Sequence, residues 1–246
     1  MRLRKSLVAL ALVAAPAGAQ ELCPGVPSVA GADSRMFKHL RYAEADTSTL
    51  VAAPEGLSPE GRCLVHPAVL ADLMRMIAEA DRDPTIAGTI RTLSCQRSIA
   101  YQQEVFCRDM SAGPAVRAIK SAPPAFSEHA TGYVIDFATA GYDPCNLAGC
   151  FAATPVGQWL MRNAPRFGFE MSFPAGAHQG VSWEPWHWRW VGADPRVPGA
   201  APARAVFARA RGLYPAHPRA AGTPLVLRLT GQPPNPAAAP VATSAP

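Results

Sequence analysis

The sequence has little charge, few aromatic residues and, beyond its first twenty residues, no long apolar run. Charged residues make up 17% and aromatic residues 8% of the 246 residues. No later stretch approaches the roughly 20 apolar residues that a membrane-spanning helix needs, so we expect no stable membrane insertion. Internal repeats are not apparent, and an apolar content of 49% argues against global disorder. The length therefore favours one well-buried domain with extensions.

A clustered basic run with interleaved aromatic residues, typical of a nucleic-acid-binding surface, is also missing. The formal net charge is +5, which predicts mild attraction to anionic surfaces. Two interpretations of this charge stay open: it suits an acidic cell-wall polymer, or it only aids solubility. We expect no nucleic-acid partner.

The beginning of the chain follows the tripartite pattern of a secretory signal. A positively charged start precedes an apolar run over residues 7–15 and small residues at 17–19. This pattern predicts a signal peptide over residues 1–19 that is removed on export. We therefore expect a periplasmic or extracellular protein.

The cysteines lack the C-x-x-C spacing of a cysteine zinc site. Six are present, at positions 23, 63, 95, 107, 145 and 150. An even count in an exported chain favours disulfides, although sequence alone does not choose among the pairings. Proximity along the chain suggests the pairs Cys95–Cys107, Cys145–Cys150 and Cys23–Cys63.

Hydrophobic periodicity predicts a mixture of helices and antiparallel strands. The predicted helices cover residues 66–81, 98–109, 155–162 and 201–214. The predicted strands cover residues 89–93, 133–138 and 167–169, with a last strand entered within 183–191. A domain over residues 61–192 follows an irregular N-terminal extension over 20–60. Residues 193–246 read as a Pro/Ala-rich extension that is largely flexible, because its end over 231–246 has too little apolar surface to fold.

Three short segments contain the residues of a metal hydrolase. The first is Gln96-Arg97-Ser98 with Gln102, the second runs from Ser127-Glu128-His129 to Asp136, and the third is Glu184-Pro-Trp-His187-Trp. Catalytic zinc takes three nitrogen or oxygen ligands and keeps one position open for water.

His129, Asp136 and His187 are the candidate ligands. Glu184 is a candidate proton carrier beside the metal. Taken singly, His129 could be an ordinary loop histidine, Asp136 the partner of an arginine, and Glu184 a surface carboxylate.

In order and spacing, S-E-H-A-T-G-x-x-x-D followed by E-P-W-H-W resembles the zinc D-alanyl-D-alanine carboxypeptidases of the VanY-like family. The resemblance covers residues 62–190 and implies a compact α+β domain of LAS type, hedgehog-like, with a small antiparallel sheet flanked by helices. It implies one Zn²⁺ per chain, held by His129, Asp136 and His187, with Glu184 as catalytic base.

The upstream Arg-Ser-x-x-x-Gln segment of the family falls on Arg97, Ser98 and Gln102. The resemblance implies that these three residues and Ser127 bind substrate, with Arg97 facing a carbonyl or carboxylate oxygen. Two departures affect specificity: Cys95-Gln96 replaces the usual Gly-Tyr, and the Cys145–Cys150 segment is an insertion.

The function implied is hydrolysis of the terminal D-Ala of peptidoglycan stem peptides by a monomer. Alternatives are a D,D-endopeptidase or D,D-dipeptidase with the same zinc chemistry, or a non-catalytic cell-wall binding module.

Overall fold

The computed structural model describes residues 21–27, 31, 33–58 and 63–220. The predicted signal peptide and the predicted tail over 231–246 lie outside the described residues. Within the described ranges, no helix is both long and apolar enough to cross a membrane.

Within the described residues, eight strands form two small antiparallel pairs and one central sheet. The pairs are β1 (Glu21–Cys23) with β2 (Val26–Pro27), and β3 (Val51–Ala52) with β4 (Leu64–Val65). The central sheet consists of β5 (Ile90–Ser94), β6 (Val134–Thr139), β7 (Phe169–Met171) and β8 (His187–Trp190). Its order is β5-β6-β8-β7, and every neighbouring pair is antiparallel.

In the part of the chain that the structure describes, five α-helices accompany the sheet. They are α1 (Pro67–Ala80), α2 (Ile99–Cys107), α3 (Pro114–Arg117), α4 (Pro155–Asn163) and α5 (Ala200–Leu213). Short 3₁₀ helices cover Thr47–Thr49, Glu55–Leu57, Glu128–Thr131, Gly149–Ala153 and Ala164–Phe167. The predicted α+β class with a small antiparallel sheet is confirmed.

Local sequence explains where several helices begin. Proline occupies the first turn of α1 and α4, where no backbone N–H is needed. The Thr154 hydroxyl accepts a hydrogen bond from the Gly157 amide at the start of α4, as an N-cap residue does. In α1, Val69, Leu73, Met76 and Ala80 are buried at helical spacing, so one face of this helix packs into the core.

The start of the C-terminal extension is part of the folded core. Ala200, Ala203, Phe207 and Ala210 of α5 are buried in the same apolar cluster as the central sheet. The sequence predicts this helix, but it also places it in an extension described as largely flexible, and the burial of one helix face is what the composition did not indicate. Small alanines at helical spacing allow close packing, and their composition alone resembles that of a disordered segment.

Two of the three predicted disulfide pairings are wrong. The structure pairs Cys23 with Cys107 and Cys63 with Cys95, and it confirms Cys145–Cys150. Cys95 lies before the start of α2, whereas Cys107 is its last residue, and this helix of 9 residues spans about 13 Å, which separates the two cysteines too far for a disulfide. Instead the Gln96 amide donates to the Leu64 carbonyl at 3.0 Å, which brings the segments of Cys63 and Cys95 together.

Candidate metal centre

His129 lies in the 3₁₀ turn that leads into β6. The Ser127 hydroxyl caps this turn by accepting from the His129 amide at 3.3 Å. Gly132 ends the turn with φ of 71°, a conformation that favours glycine. The His129 Nδ1–H donates to the Cys95 carbonyl at 2.6 Å. This bond fixes the ring and leaves Nε2 as the nitrogen with a free lone pair.

Sheet register brings the other two candidate ligands together. Asp136 on β6 lies directly opposite His187 on β8, and neighbours of this kind are about 5 Å apart at Cβ. His187 Nδ1 is 3.1 Å from Asp136 Oδ1, and His129 Nε2 is 3.1 Å from Asp136 Oδ2.

The three side chains fit a metal ion. Their ligand atoms all lie within 4.8 Å of one another, and each side chain is buried. His129 Nε2 and Asp136 Oδ1 are buried without a hydrogen-bond partner, which is costly unless another group compensates. Two imidazoles and one carboxylate, with room for a fourth ligand, are a donor set that catalytic zinc accepts.

The charges around the three side chains favour a cation at this point. Burial acts to lower the pKa of His187, but the neighbouring carboxylates of Asp136 and Glu128 outweigh it and raise the pKa to about 10. Burial likewise acts to raise the pKa of Asp136, yet the neighbouring His129 and His187 hold it well below its usual range. The site therefore stabilises positive charge beside an ionised carboxylate.

Glu184 lies next to this group at the edge of the cleft. Its Oε2 is 3.8 Å from His187 Nδ1, and its backbone amide donates to the Phe173 carbonyl at 3.0 Å. Burial raises the pKa of Glu184 to about 8, with Asp136 adding to the effect and His187 and Arg97 opposing it. A carboxyl with a pKa near neutrality can both take and return a proton.

Arg97 is held at the cleft by two neighbours. One guanidinium nitrogen donates to Gln102 Oε1 at 3.0 Å, and another donates to Ser94 Oγ at 3.1 Å. Gln102 is buried, and its amide nitrogen donates to the Ala122 carbonyl at 2.6 Å. Through these contacts Gln102 supports Arg97, and the substrate contact predicted for Gln102 stays a prediction.

The structure brings most of the predicted site residues into one cleft of about 540 Å³. They are Arg97, Gln102, Ser127, His129, Asp136, Glu184 and His187. Ser98 is not among the lining residues; its hydroxyl accepts from the Tyr101 amide and caps α2.

Two of the unpredicted residues of this site, Glu128 and Lys120, are charged. Glu128 is buried and accepts a hydrogen bond from His187 Nε2 at 3.2 Å. Its position within the motif, between Ser127 and His129, is the sequence feature that could have indicated a role in the site. Lys120 lines the cleft from a segment with no motif, so the sequence contained no comparable signal for it.

Comparison with known families identifies the fold and its lineage. The family model named VanY, D-alanyl-D-alanine carboxypeptidase, matches residues 62–193, more than half of the chain. This chain belongs to the VanY family. The matched range contains the whole candidate metal centre, whereas α5 lies beyond it.

Two curated relatives are each 30% identical to this chain over part of its length. It is 30% identical over 106 residues to a putative carboxypeptidase, YodJ, of Bacillus subtilis, covering 42% of this chain and 38% of that protein. It is 30% identical over 117 residues to a D-alanyl-D-alanine carboxypeptidase of Enterococcus faecalis, covering 45% and 41%. The chain thus spans about two fifths of the length of the curated relatives that it matches.

A solved structure shares the fold. The LdcB LD-carboxypeptidase superposes with a TM-score of 0.52 at 25% identity, covering 66% of this chain and 73% of that one.

Proposed function

We propose that this protein is a zinc-dependent D,D-carboxypeptidase that removes the terminal D-Ala from peptidoglycan stem peptides. The observation that carries the proposal is the convergence of His129, Asp136 and His187 within 4.8 Å, with Glu184 beside them in the same cleft. Membership of the VanY family supports the choice of substrate.

The chemistry divides between the metal and the side chains around it. A zinc ion held by the three ligands would supply Lewis acidity, which polarises a carbonyl and makes water a stronger acid. Glu184 takes a proton from the attacking water and passes it to the leaving amino group, so that one buried carboxyl serves both steps.

Substrate recognition follows from the side chains that line the cleft. Arg97 and Lys120 supply cationic groups, and Leu147, Phe173 and Trp183 supply apolar ones. Cationic side chains suit the terminal carboxylate of the peptide, for which a guanidinium offers paired donors. Apolar groups suit the methyl side chains of the two D-alanines. A free terminal carboxylate is the feature that a carboxypeptidase must bind, which favours this activity over cleavage of cross-links.

We also propose that the protein acts outside the cytoplasm. The pattern of a secretory signal over residues 1–19 supports this location. Three disulfides join all six cysteines, and such pairs persist in oxidising compartments.

The proposal can be tested with three defined substrates and the purified zinc-loaded protein. We expect release of a single D-Ala from a stem pentapeptide ending in D-Ala-D-Ala, measured by amino-acid analysis. A tetrapeptide ending in L-residue–D-Ala tests L,D-cleavage, and a cross-linked dimer tests endopeptidase activity. Faster turnover of the tetrapeptide or of the cross-linked dimer would contradict the proposed specificity. Release of intact D-Ala-D-Ala would indicate a dipeptidase. No turnover of any substrate by folded, zinc-loaded protein would favour a binding module.

A further inference from the structure

Glu128 is the first member of a buried ionic chain that begins at a metal ligand. Its Oε2 accepts from His187 Nε2 at 3.2 Å, and its Oε1 accepts from Arg189 at 2.9 Å. Hydroxyls of Ser172 and Tyr42 also donate to this carboxylate. Four protein donors therefore occupy the two oxygens of Glu128, and no acceptor position remains for a substrate group.

The chain of charges continues away from the cleft to helix α5. Arg189 Nε donates to Glu170 at 2.9 Å, and Glu170 lies opposite Arg189 in the register of β7 and β8. Arg211 of α5 then donates to both oxygens of Glu170, at 2.9 and 3.2 Å. Two arginines and two glutamates alternate, so the buried charges of the chain balance.

Burial makes this arrangement stiff. The residues are 0% (Glu170), 1% (Arg189), 3% (Arg211) and 5% (Glu128) exposed. The Arg189 guanidinium also lies 5.4 Å from the centre of the Phe207 ring of α5. Moving any member would leave a buried charge unpaired, which costs several kcal/mol.

Glu128, at one end of this row of ion pairs, acts on Nε2 of His187. His187 Nδ1 faces Asp136 at 3.1 Å, on the side of the candidate metal site, so Nε2 is the nitrogen that carries the hydrogen. A carboxylate that accepts from the second nitrogen of a histidine ligand fixes its tautomer and ring plane, and makes the ligand nitrogen more basic.

We propose that the ionic chain Arg211–Glu170–Arg189–Glu128 positions His187 for metal binding, so that helix α5 is a functional part of the metal centre. The inference rests on the proposed metal site, and it extends that site beyond residues 62–193, which match the family. These four are positioning residues, since they act on the metal through His187.

The test is zinc affinity of the full mature chain, measured by competition with a chromophoric chelator. Glu128→Gln keeps the size of the side chain but removes its charge, and we expect its zinc Kd to rise by about 10- to 100-fold. Asp72→Asn is the matched control. Asp72 is also a buried carboxylate, 3% exposed, but it bonds to Arg75 and Trp190. Its Kd should stay within about twofold of the original.

A second variant tests the distant end of the chain. Arg211→Lys keeps the positive charge and loses the two-point contact with Glu170, and we expect weaker zinc binding than in the original protein but stronger than in Glu128→Gln. With Co²⁺ as a probe, the visible absorption bands should shift in both variants and not in Asp72→Asn, because those bands report ligand geometry.

The outcomes separate this inference from the proposed function. Glu128→Gln and Arg211→Lys proteins that are folded by near-UV circular dichroism and bind zinc with the original Kd would overturn the positioning role. That result would leave the carboxypeptidase proposal intact. Failure of the original protein to bind zinc would instead overturn the metal site, and the positioning role with it.

Discussion

At the scale of single residues, Glu184 and His187 have separable tasks although they are three positions apart. We assign Glu184, which lies 3.8 Å from His187 Nδ1, to the proposed proton transfer, and His187 to the proposed metal binding. We expect Glu184→Gln to lose roughly 100- to 10,000-fold in kcat while keeping one zinc per chain. His187→Ala should lose both metal and activity. Zinc content and D-Ala release, measured on the same samples, test both variants. A Glu184→Gln protein with full activity would contradict the proposed role of Glu184 as proton carrier.

Arg97 supplies a second prediction at this scale. Gln102 and Ser94 hold its guanidinium at the cleft, where paired donors suit a carboxylate. Arg97→Lys keeps the charge but not the fork, so we expect kcat/KM for the pentapeptide to fall by about 10- to 100-fold, corresponding to the loss of a charge-assisted hydrogen bond. Steady-state kinetics check this, with zinc content as the control. An unchanged kcat/KM would mean that Arg97 does not contact the substrate.

At the scale of elements, the Cys63–Cys95 disulfide supports the metal centre through the backbone. The Cys95 carbonyl accepts from His129 Nδ1 at 2.6 Å, so the end of β5 helps to orient a ligand. We expect the double variant Cys63→Ser/Cys95→Ser to lose about 2–4 kcal/mol of unfolding free energy and to bind zinc more weakly.

The Cys145–Cys150 disulfide provides the comparison, because it closes a short loop with a sequence separation of 5. The corresponding double variant at those positions should bind zinc normally. Chelator competition and urea unfolding measure both effects. Equal zinc affinity in the two double variants would contradict the role assigned to the Cys95 carbonyl.

Helix α5 yields a prediction about packing. Phe207 is fully buried, whereas Val206 is 41% exposed on the same helix. We expect Phe207→Ala to reduce the free energy of unfolding by about 3–5 kcal/mol, and Val206→Ala to change it by less than about 0.5 kcal/mol. Thermal or urea unfolding of both variants is the measurement. A small effect of Phe207→Ala would show that α5 is not part of the cooperative fold.

At the scale of the whole molecule, the fold class and the candidate metal ligands could be predicted because the local patterns agreed with the resemblance to the VanY-like family. His129 and Asp136 flank the entry to one strand, and Glu184 and His187 flank the entry to another. Pairing of those strands then places Asp136 opposite His187. The spacing of the motifs therefore contained most of the geometry.

Other features depend on contacts that spacing does not encode. The pairing of Cys23 with Cys107 has a sequence separation of 84. It can form only because the hairpin of β1 and β2 lies against α2. The contact between Arg211 and Glu170 requires α5 to pack on β7. The sequence separation does not reveal the first contact. The composition does not reveal the second, because alanine-rich and proline-rich stretches occur both in folded helices and in flexible tails.

The most direct test of the central claim is D-Ala release from a stem pentapeptide by the purified mature protein, before chelation, after chelation and after zinc is restored. We predict release of one D-Ala per peptide, its loss with the chelator, and its recovery with zinc. Release that continues unchanged in protein shown to be free of metal would contradict a zinc carboxypeptidase centred on His129, Asp136 and His187.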